Sequence, residues 1–531
     1  MAHNAMAAAG PAAAGKWKLL SRRIDATDTP VIDFTRRVMA KRKDALSLAQ
    51  GIVHWGPPPA ALERLSARLA ADPAAVSGYA PNEGLPALRA ALRHKLLERN
   101  KLPHYDVIVT PGCNQAFLNA LLALCDVEDR VVLFRPYYFD HLMAMQMTGS
   151  ADRVVLGECD PASQRPSLEW LRGQLAGPQP PKMVVLVNPC NPTGVLLTRG
   201  ELDALSSLCA SAGCWLVLDN TYEDFIFAPD GEHYCPAGPH VIHLFSMSKA
   251  YGMMGWRIGY IAFPDYQHHN RDVEGERDGF AAATATAAAP AGPVAAAAAA
   301  DGAAAAAAAG GGGAGVSADA RSAVTQPSSA VAIGSAPGAL GAAQLKVQDA
   351  VCICAPQPSQ LLALEALGPG GGDYVREHIQ QLTANRDLLR SALAPLEPHV
   401  VGGEGAIYLW ARLPPSCCRG GKGGKGSSDG KECKEGEKSG NGGGEGEVDG
   451  VPREEEEEEV DDRSVVEWLV AQAGVCVIPG SACGMPGYIR CSYANLPPQQ
   501  FPRAVARLRA GLQHLVQYGM TDMPQEAVAG L

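Results

Sequence analysis

The chain has 531 residues, 47% of them apolar and 19% charged, which is too long for one small core and enough for an enzyme of two domains. Its formal charge of −11 is concentrated: residues 416–463 carry eight Lys or Arg against fifteen Asp or Glu, and the rest is nearly balanced, which argues against nucleic acid as a partner. Fifteen cysteines lie scattered without a C-x-x-C pair or a repeated ligand spacing, so neither a disulfide framework nor a metal site is expected.

The first 18 residues are alanine-rich with few charges and lack the long apolar core of a secretory signal. They read as a disordered start. The expected compartment is the cytoplasm, with a short organellar transit segment as the alternative. Short apolar runs then alternate with helical patterns: Val107 to Val109, Val131 to Phe134, Met183 to Val187, Trp215 to Leu218 and Val241 to Phe245. This alternation predicts a parallel sheet covered by helices. Residues with functional chemistry follow directly after these runs, at Gly112, Tyr138, Asn188 to Gly194, Asp219 and Ser246, where open α/β sheets bind ligands.

From about Thr284 to Gly341 the chain is alanine, glycine and isolated prolines, with no charge between Asp301 and Asp319. Such a segment has no face to bury, so disorder is expected, and Asp301 within it argues against a membrane span. A periodic helix from Tyr374 to Leu393 leads into Ala406 to Leu413 and Gly487 to Ser492, which read as a second, smaller domain. Between those two segments, Ser416 to Val460 is rich in Gly, Lys and Glu and holds six consecutive glutamates, Glu454 to Glu459, whose self-repulsion predicts a solvated insert. Setting aside residues 1–18, 284–341 and 416–460 leaves 410 residues, a suitable length for one two-domain α/β subunit.

The most informative run is Ser246-Met247-Ser248-Lys249-Ala250-Tyr251-Gly252-Met253-Met254-Gly255-Trp256-Arg257-Ile258-Gly259. An apolar strand delivers two hydroxyls and an amine into a loop where glycines allow close backbone approach, and Arg257 follows. That combination describes an anion pocket beside a nucleophilic amine. Pro111-Gly112-Cys113-Asn114-Gln115 also follows a strand and opens an apolar helix, so the N–H groups of Gly112, Cys113 and Asn114 would face an anion. Asp219 ends a buried run and stays charged there only beside a cationic partner. The pattern S-x-S-K-x-x-G-x-x-G-x-R-x-G, with Asn191-Pro192-Thr193-Gly194 and Asp219 upstream in order, resembles the signature of the class I/II aminotransferases, which use pyridoxal 5'-phosphate.

That resemblance implies fold type I. A large domain, residues 51–283 and 342–372, would carry a mostly parallel seven-stranded sheet between helices; residues 19–50 and 373–520 would form a smaller α+β domain, followed by a tail at 521–531. It implies that Lys249 holds the cofactor through its amine and then moves the substrate proton, that Asp219 pairs with the ring nitrogen, and that Asn191 and Tyr222 reach the ring oxygen. Tyr138 would stack on the ring; Gly112, Cys113, Asn114, Ser246, Ser248 and Arg257 would hold the phosphate, together with Tyr79 from a neighbouring subunit of a homodimer. Arg490 would grip the substrate carboxylate with Gly51 and Asn191, and Trp55 would wall the side-chain pocket.

Whole segments, among them Leu48 to Trp55, Pro136 to Phe139, Lys249 to Arg257 and Gly402 to Trp410, resemble one plant branch of the family. Its members are aromatic aminotransferases pairing methionine with aromatic 2-oxo acids such as phenylpyruvate or indole-3-pyruvate, an auxin precursor, by a ping-pong cycle through pyridoxamine phosphate. A kynurenine-, alanine- or aspartate-type transaminase or a C–S lyase on the same frame is the alternative, and a non-enzymatic scaffold whose inserts recruit partners is a third.

Overall fold

The computed structural model describes residues 20–265, 337–418 and 461–527. Seven strands form the central sheet: β2 (Tyr105–Thr110), β3 (Val131–Phe134), β4 (Val154–Gly157), β5 (Met183–Val187), β6 (Trp215–Asp219), β7 (Val241–Ser246) and β8 (Gly259–Pro264). Their spatial order is β2-β8-β7-β6-β5-β3-β4, and every neighbouring pair is parallel except the two made by β8. The mostly parallel sheet expected from the apolar runs is present, each run lying inside its strand.

Strand pleating divides these runs between two cores. Val131, Leu133, Met183, Val185 and Val217 pack on one face with Phe117 and Ile261, whereas Val132, Phe134, Val184, Leu186, Leu216 and Leu218 pack on the other with Leu171 and Leu202. Burial on both faces explains why these strands read as unbroken apolar runs rather than alternating ones. The covering helix Arg199–Ser211 starts at a capping box, Thr198 with Glu201, which satisfies the first free N–H groups of that helix.

A second sheet, wholly antiparallel, has the order β12-β13-β10-β9, with β9 at Val400–Gly402, β10 at Tyr408–Arg412, β12 at Ile478–Pro479 and β13 at Tyr488–Ser492. β1 (Leu46–Ser47) pairs in parallel with β11 (Val475–Cys476), which ties the N-terminal part of the chain to its far end. The helix Gly371–Ala392 contains all but Leu393 of the expected one and begins two residues before the expected boundary at 373.

Three segment boundaries move, and one is at Ser416, expected to open the insert but lying in the short helix Pro415–Cys418 with Cys417 buried. Residues 337–341, assigned by composition to the unstructured stretch, open the helix Pro337–Cys352, and Leu340 packs against the core beside Phe117. Alanine-rich sequence there gains a face from the Leu340 and Leu345 positions. Residues 521–527, expected as tail, begin with packed chain: the Thr521 carbonyl accepts from Trp468 Nε1 at 2.9 Å and Met523 is buried. The expectations for residues 1–18 and for most of 284–341 and 416–460 lie outside the described residues. Among the described residues no helix is long and apolar enough to cross a membrane.

Candidate active site

The carboxyl ends of β5, β6 and β7 place Val187, Asp219 and Ser246 along one edge of the sheet, and a cleft of about 370 Å³ opens above them. Its lining brings together Gly51, Cys113, Asn114, Tyr138, Asn191, Asp219, Tyr222, Ser246, Ser248, Lys249, Arg257 and Arg490, residues far apart in sequence. Three of the expected residues are not in this lining: Gly112, which lies behind Arg257, and Tyr79 and Trp55, which stand elsewhere. Tyr79 is 80% exposed and does not line this cleft. Trp55 is buried in the core rather than on the cleft wall; its indole Nε1 donates to the Ala250 carbonyl at 3.1 Å, directly beside Lys249, and its ring packs on Phe225 and His378. A large indole at that point supports the lysine loop from behind.

Lys249 follows β7 in a turn, and its amine makes no hydrogen bond or ion pair among the described residues. Desolvation first, then the like charges of Arg257 and Arg490, push its pKa down from 10.5 to about 8. A much larger fraction of this amine is therefore neutral, and nucleophilic, near pH 7.5 than of an ordinary lysine.

Asp219 is 4% exposed. Burial pushes its carboxyl up, but the hydrogen bond and charge of His141, with further donors on Thr221, outweigh that and hold the pKa below the ordinary value. The His141 Nε2 to Asp219 Oδ2 distance is 3.3 Å, and the Thr221 N–H donates to Oδ1 at 3.0 Å. His141 escapes sequence reading; it lies three residues after Tyr138 on the helix Phe139–Thr148, a spacing that puts both on one face.

An anion cradle forms from three segments. Gly112 has φ +86°, and a Cβ there would overlap Arg257 Nη2, so only glycine admits the guanidinium this close to the loop. Arg257 itself is held at φ +56° at the end of the short helix Met254–Trp256, with its guanidinium donating to the Met254 carbonyl at 2.9 Å and the Pro111 carbonyl at 3.3 Å. The first N–H groups of the helix Cys113–Leu124 lack intrahelical acceptors and face this guanidinium side of the cleft. The Cys113 thiol, buried and near Asp219, is pushed well above its ordinary pKa, so it stays protonated. Tyr138 Oη donates to Asp140 Oδ2 at 2.5 Å and Asn114 Nδ2 reaches the same oxygen at 2.9 Å, a link across the cleft mouth that sequence reading does not reveal.

On the opposite wall, Arg490 of β13 is 2% exposed and donates to Asn191 Oδ1 at 2.8 Å and to the Ala49 carbonyl at 2.7 Å, while its Nε has no partner. A buried guanidinium with a spare donor suits a carboxylate ligand. The loop Asn188–Gly194 is stitched to the second sheet: Gly405 N–H donates to the Gly194 carbonyl at 3.0 Å, and Leu196 N–H to Glu404 Oε2 at 3.0 Å. Tyr408, unassigned by sequence although its segment is distinctive, lies under Arg490 with its ring centroid 4.3 Å from the guanidinium carbon.

These groups fit pyridoxal 5'-phosphate: an unpartnered amine, a buried carboxylate that stays ionised, and an anion cradle share a cleft of cofactor size. The family model described as Aminotransferase class I and II matches residues 43–508. An aromatic aminotransferase of Arabidopsis thaliana is 37% identical over 511 residues, covering 96% of this chain and 100% of the relative. An aspartate aminotransferase of Pyrococcus abyssi is 28% identical over 255 residues, 46% of this chain and 64% of that relative. The solved aspartate aminotransferase of Thermus thermophilus with maleate shares the fold, with a TM-score of 0.64 at 22% identity over 94% of this chain and 100% of that one. With the family matched across most of its length and a cleft that suits the cofactor, this chain belongs to the class I and II aminotransferases and is a pyridoxal 5'-phosphate-dependent transaminase.

Proposed function

We propose that the enzyme transfers the amino group of an aromatic amino acid or methionine to a 2-oxo acid, with phenylpyruvate or indole-3-pyruvate as fitting acceptors, by a ping-pong cycle. The observation that carries this reading is the balance of the cleft wall. Arg490 supplies one carboxylate site, and the same cleft is lined by Pro30, Ile32, Ile52, Phe139 and Val187, with Asp140 adding an acidic group. An apolar wall favours an aromatic or thioether side chain, and an acidic mouth disfavours the second carboxylate of aspartate. The name of the 37% identical relative, an aromatic aminotransferase, supports the same choice.

The residue roles in this proposal follow the geometry. When bound, the cofactor supplies an electron sink that stabilises negative charge at the substrate Cα. Lys249 Nζ, more readily deprotonated than an ordinary lysine, would take the Cα proton and return it on the other side of the transfer. Asp219, kept ionised by His141, holds a proton on the cofactor's ring nitrogen, and Tyr222 and Asn191 direct donors at the ring. Tyr138 covers the ring face, while Gly112, Cys113, Asn114, Ser246, Ser248 and Arg257 hold the phosphate. Arg490, with the Gly51 backbone and Asn191, orients the substrate carboxylate, and Trp55 acts by supporting the Ala250 carbonyl.

The proposal extends to organisation: a cofactor-holding domain built on the seven-stranded sheet, a substrate-closing domain built on the four-stranded one, a homodimer in which Tyr79 reaches the partner's phosphate site, and a cytoplasmic location. A screen of purified protein with amino acids against 2-oxo acids tests the substrate reading. Aromatic amino acids or methionine should lead aspartate by tenfold or more in kcat/KM, about 1.4 kcal/mol of discrimination; an aspartate preference would overturn it. Borohydride reduction and peptide mapping should place the covalent label on Lys249 alone.

A further inference from the structure

Tyr408 has no part in the roles above, yet it touches both halves of the cleft. It is 1% exposed at the start of β10, and its hydroxyl lies 2.5 Å from that of Tyr222, 186 residues away in sequence. The two rings meet edge to face with centroids 5.5 Å apart. The other side of the Tyr408 ring carries the Arg490 guanidinium, 4.3 Å from its centroid. A Cβ on Gly51 would overlap the Tyr408 hydroxyl, so the absence of a side chain at Gly51 makes room for that oxygen. Sheet pairing fixes the arrangement, because Tyr408 is opposite Ser492 and Trp410 is opposite Arg490.

Two phenols at this distance share one hydrogen bond, so one hydroxyl donates and the other keeps its proton for a different acceptor. The cation over its face makes Tyr408 the better donor. Tyr222 therefore accepts from Tyr408, and its own proton is left to point into the cleft. Building on the proposed cofactor site, we infer that Tyr408 is a positioning residue that couples the two walls, its hydroxyl aiming the Tyr222 proton and its ring supporting the Arg490 fork.

The test uses holoenzyme variants. Tyr408→Phe keeps the ring and removes the hydroxyl. It should leave the amino acid KM within about twofold, lower kcat by about tenfold, the worth of one buried hydrogen bond, and raise the pH midpoint of the bound cofactor's absorbance by about half a unit or more. The midpoint rises because a donor aimed into the cleft stabilises the deprotonated form of whatever it faces. Tyr408→Leu also removes the ring under Arg490 and should raise KM by a further factor of about ten. In a Tyr222→Phe background the added Tyr408→Phe should no longer move the midpoint, since its hydroxyl acts through Tyr222.

A purely structural role predicts lower Tm with an unmoved midpoint and an unchanged kcat to KM partition, and that outcome would overturn the inference, as would additive midpoint shifts in the double variant. Should Tyr408→Leu fail to fold, the Phe series decides alone. Failure of the site reading itself is separate: it appears as a borohydride label away from Lys249 in the unaltered enzyme.

Discussion

Lys249 owes its chemistry to where the chain leaves it. Desolvation and two guanidinium groups act on one amine, and Asp219, which opposes them, is engaged by His141. In the cofactor-free protein, alkylation of Lys249 followed by mass spectrometry should titrate with a midpoint near 8 rather than 10.5, and Arg257→Gln should move that midpoint up. A lysine whose folded pKa is depressed is bound by fewer protons when folded, so its contribution to cofactor-free stability rises as pH climbs from about 8 to 10.5. Lys249→Met should accordingly raise the Tm of the cofactor-free protein at pH 7, by an amount equivalent to at most ~3 kcal/mol. Arg490→Lys tests the opposite wall: a single ammonium cannot keep Asn191, the Ala49 carbonyl and a carboxylate at once, and KM should rise by about 10- to 100-fold with the fold intact. Lys249, Asp219 and the Gly112 loop are legible in sequence because each carries its context in adjacent residues. His141 and Tyr408 are not, since their meaning arises only when helix and sheet packing bring them to Asp219 and Tyr222.

Five strands of the central sheet followed from their apolar runs, and two, β4 and β8, did not. β4 is the half-exposed outer edge of its sheet, so Val154-Val155-Leu156 lacks flanking apolar residues to mark it. β8 is fully buried but begins at Gly259, inside the motif that draws attention to Lys249 and Arg257. The stiff loop Asn188–Gly194 was visible from its prolines, whereas its attachment to the Gly402–Ala406 turn was not. That attachment is close: Gly194 has φ +74°, and a Cβ there would overlap the Tyr408 carbonyl oxygen. Gly194→Ala should cost at least ~2 kcal/mol in urea unfolding and should raise the amino acid KM, because it pushes β10 away from Asn191 and Arg490. Glu404→Ala removes the acceptor of the Leu196 N–H and one Arg165 partner, and a loss of about 1 kcal/mol with a smaller KM effect is expected.

For the molecule as a whole, composition marks residues 284–341 and 416–460 as inserts, and packing assigns 337–341 and 416–418 of these to ordered helix. Removing residues 284–330 together with 420–458 should leave Tm and turnover unchanged. Extending the first deletion through Gly341 takes away Leu340 and the contact of Gly341 with Phe263, and Tm should then fall by several degrees, a loss of roughly 1–3 kcal/mol. Mixing Tyr79→Ala subunits with Lys249→Ala subunits tests the dimer: restored turnover to about a quarter of the unaltered rate is expected if each site draws one residue from its partner.

The pairing of β1 with β11 also constrains when this enzyme can exist. Ser47, Ala49 and His54 find their partners in Asn495, Arg490 and Ala494, so this early stretch must wait for one synthesised more than 430 residues later. Throughout synthesis Leu48 and Val53, both destined for burial, have nothing permanent to lie against, and the carboxylate grip on the substrate is among the final features to be completed. A nascent chain stalled before β13 would hold its lysine, its aspartate and its phosphate loop without the wall that makes them selective.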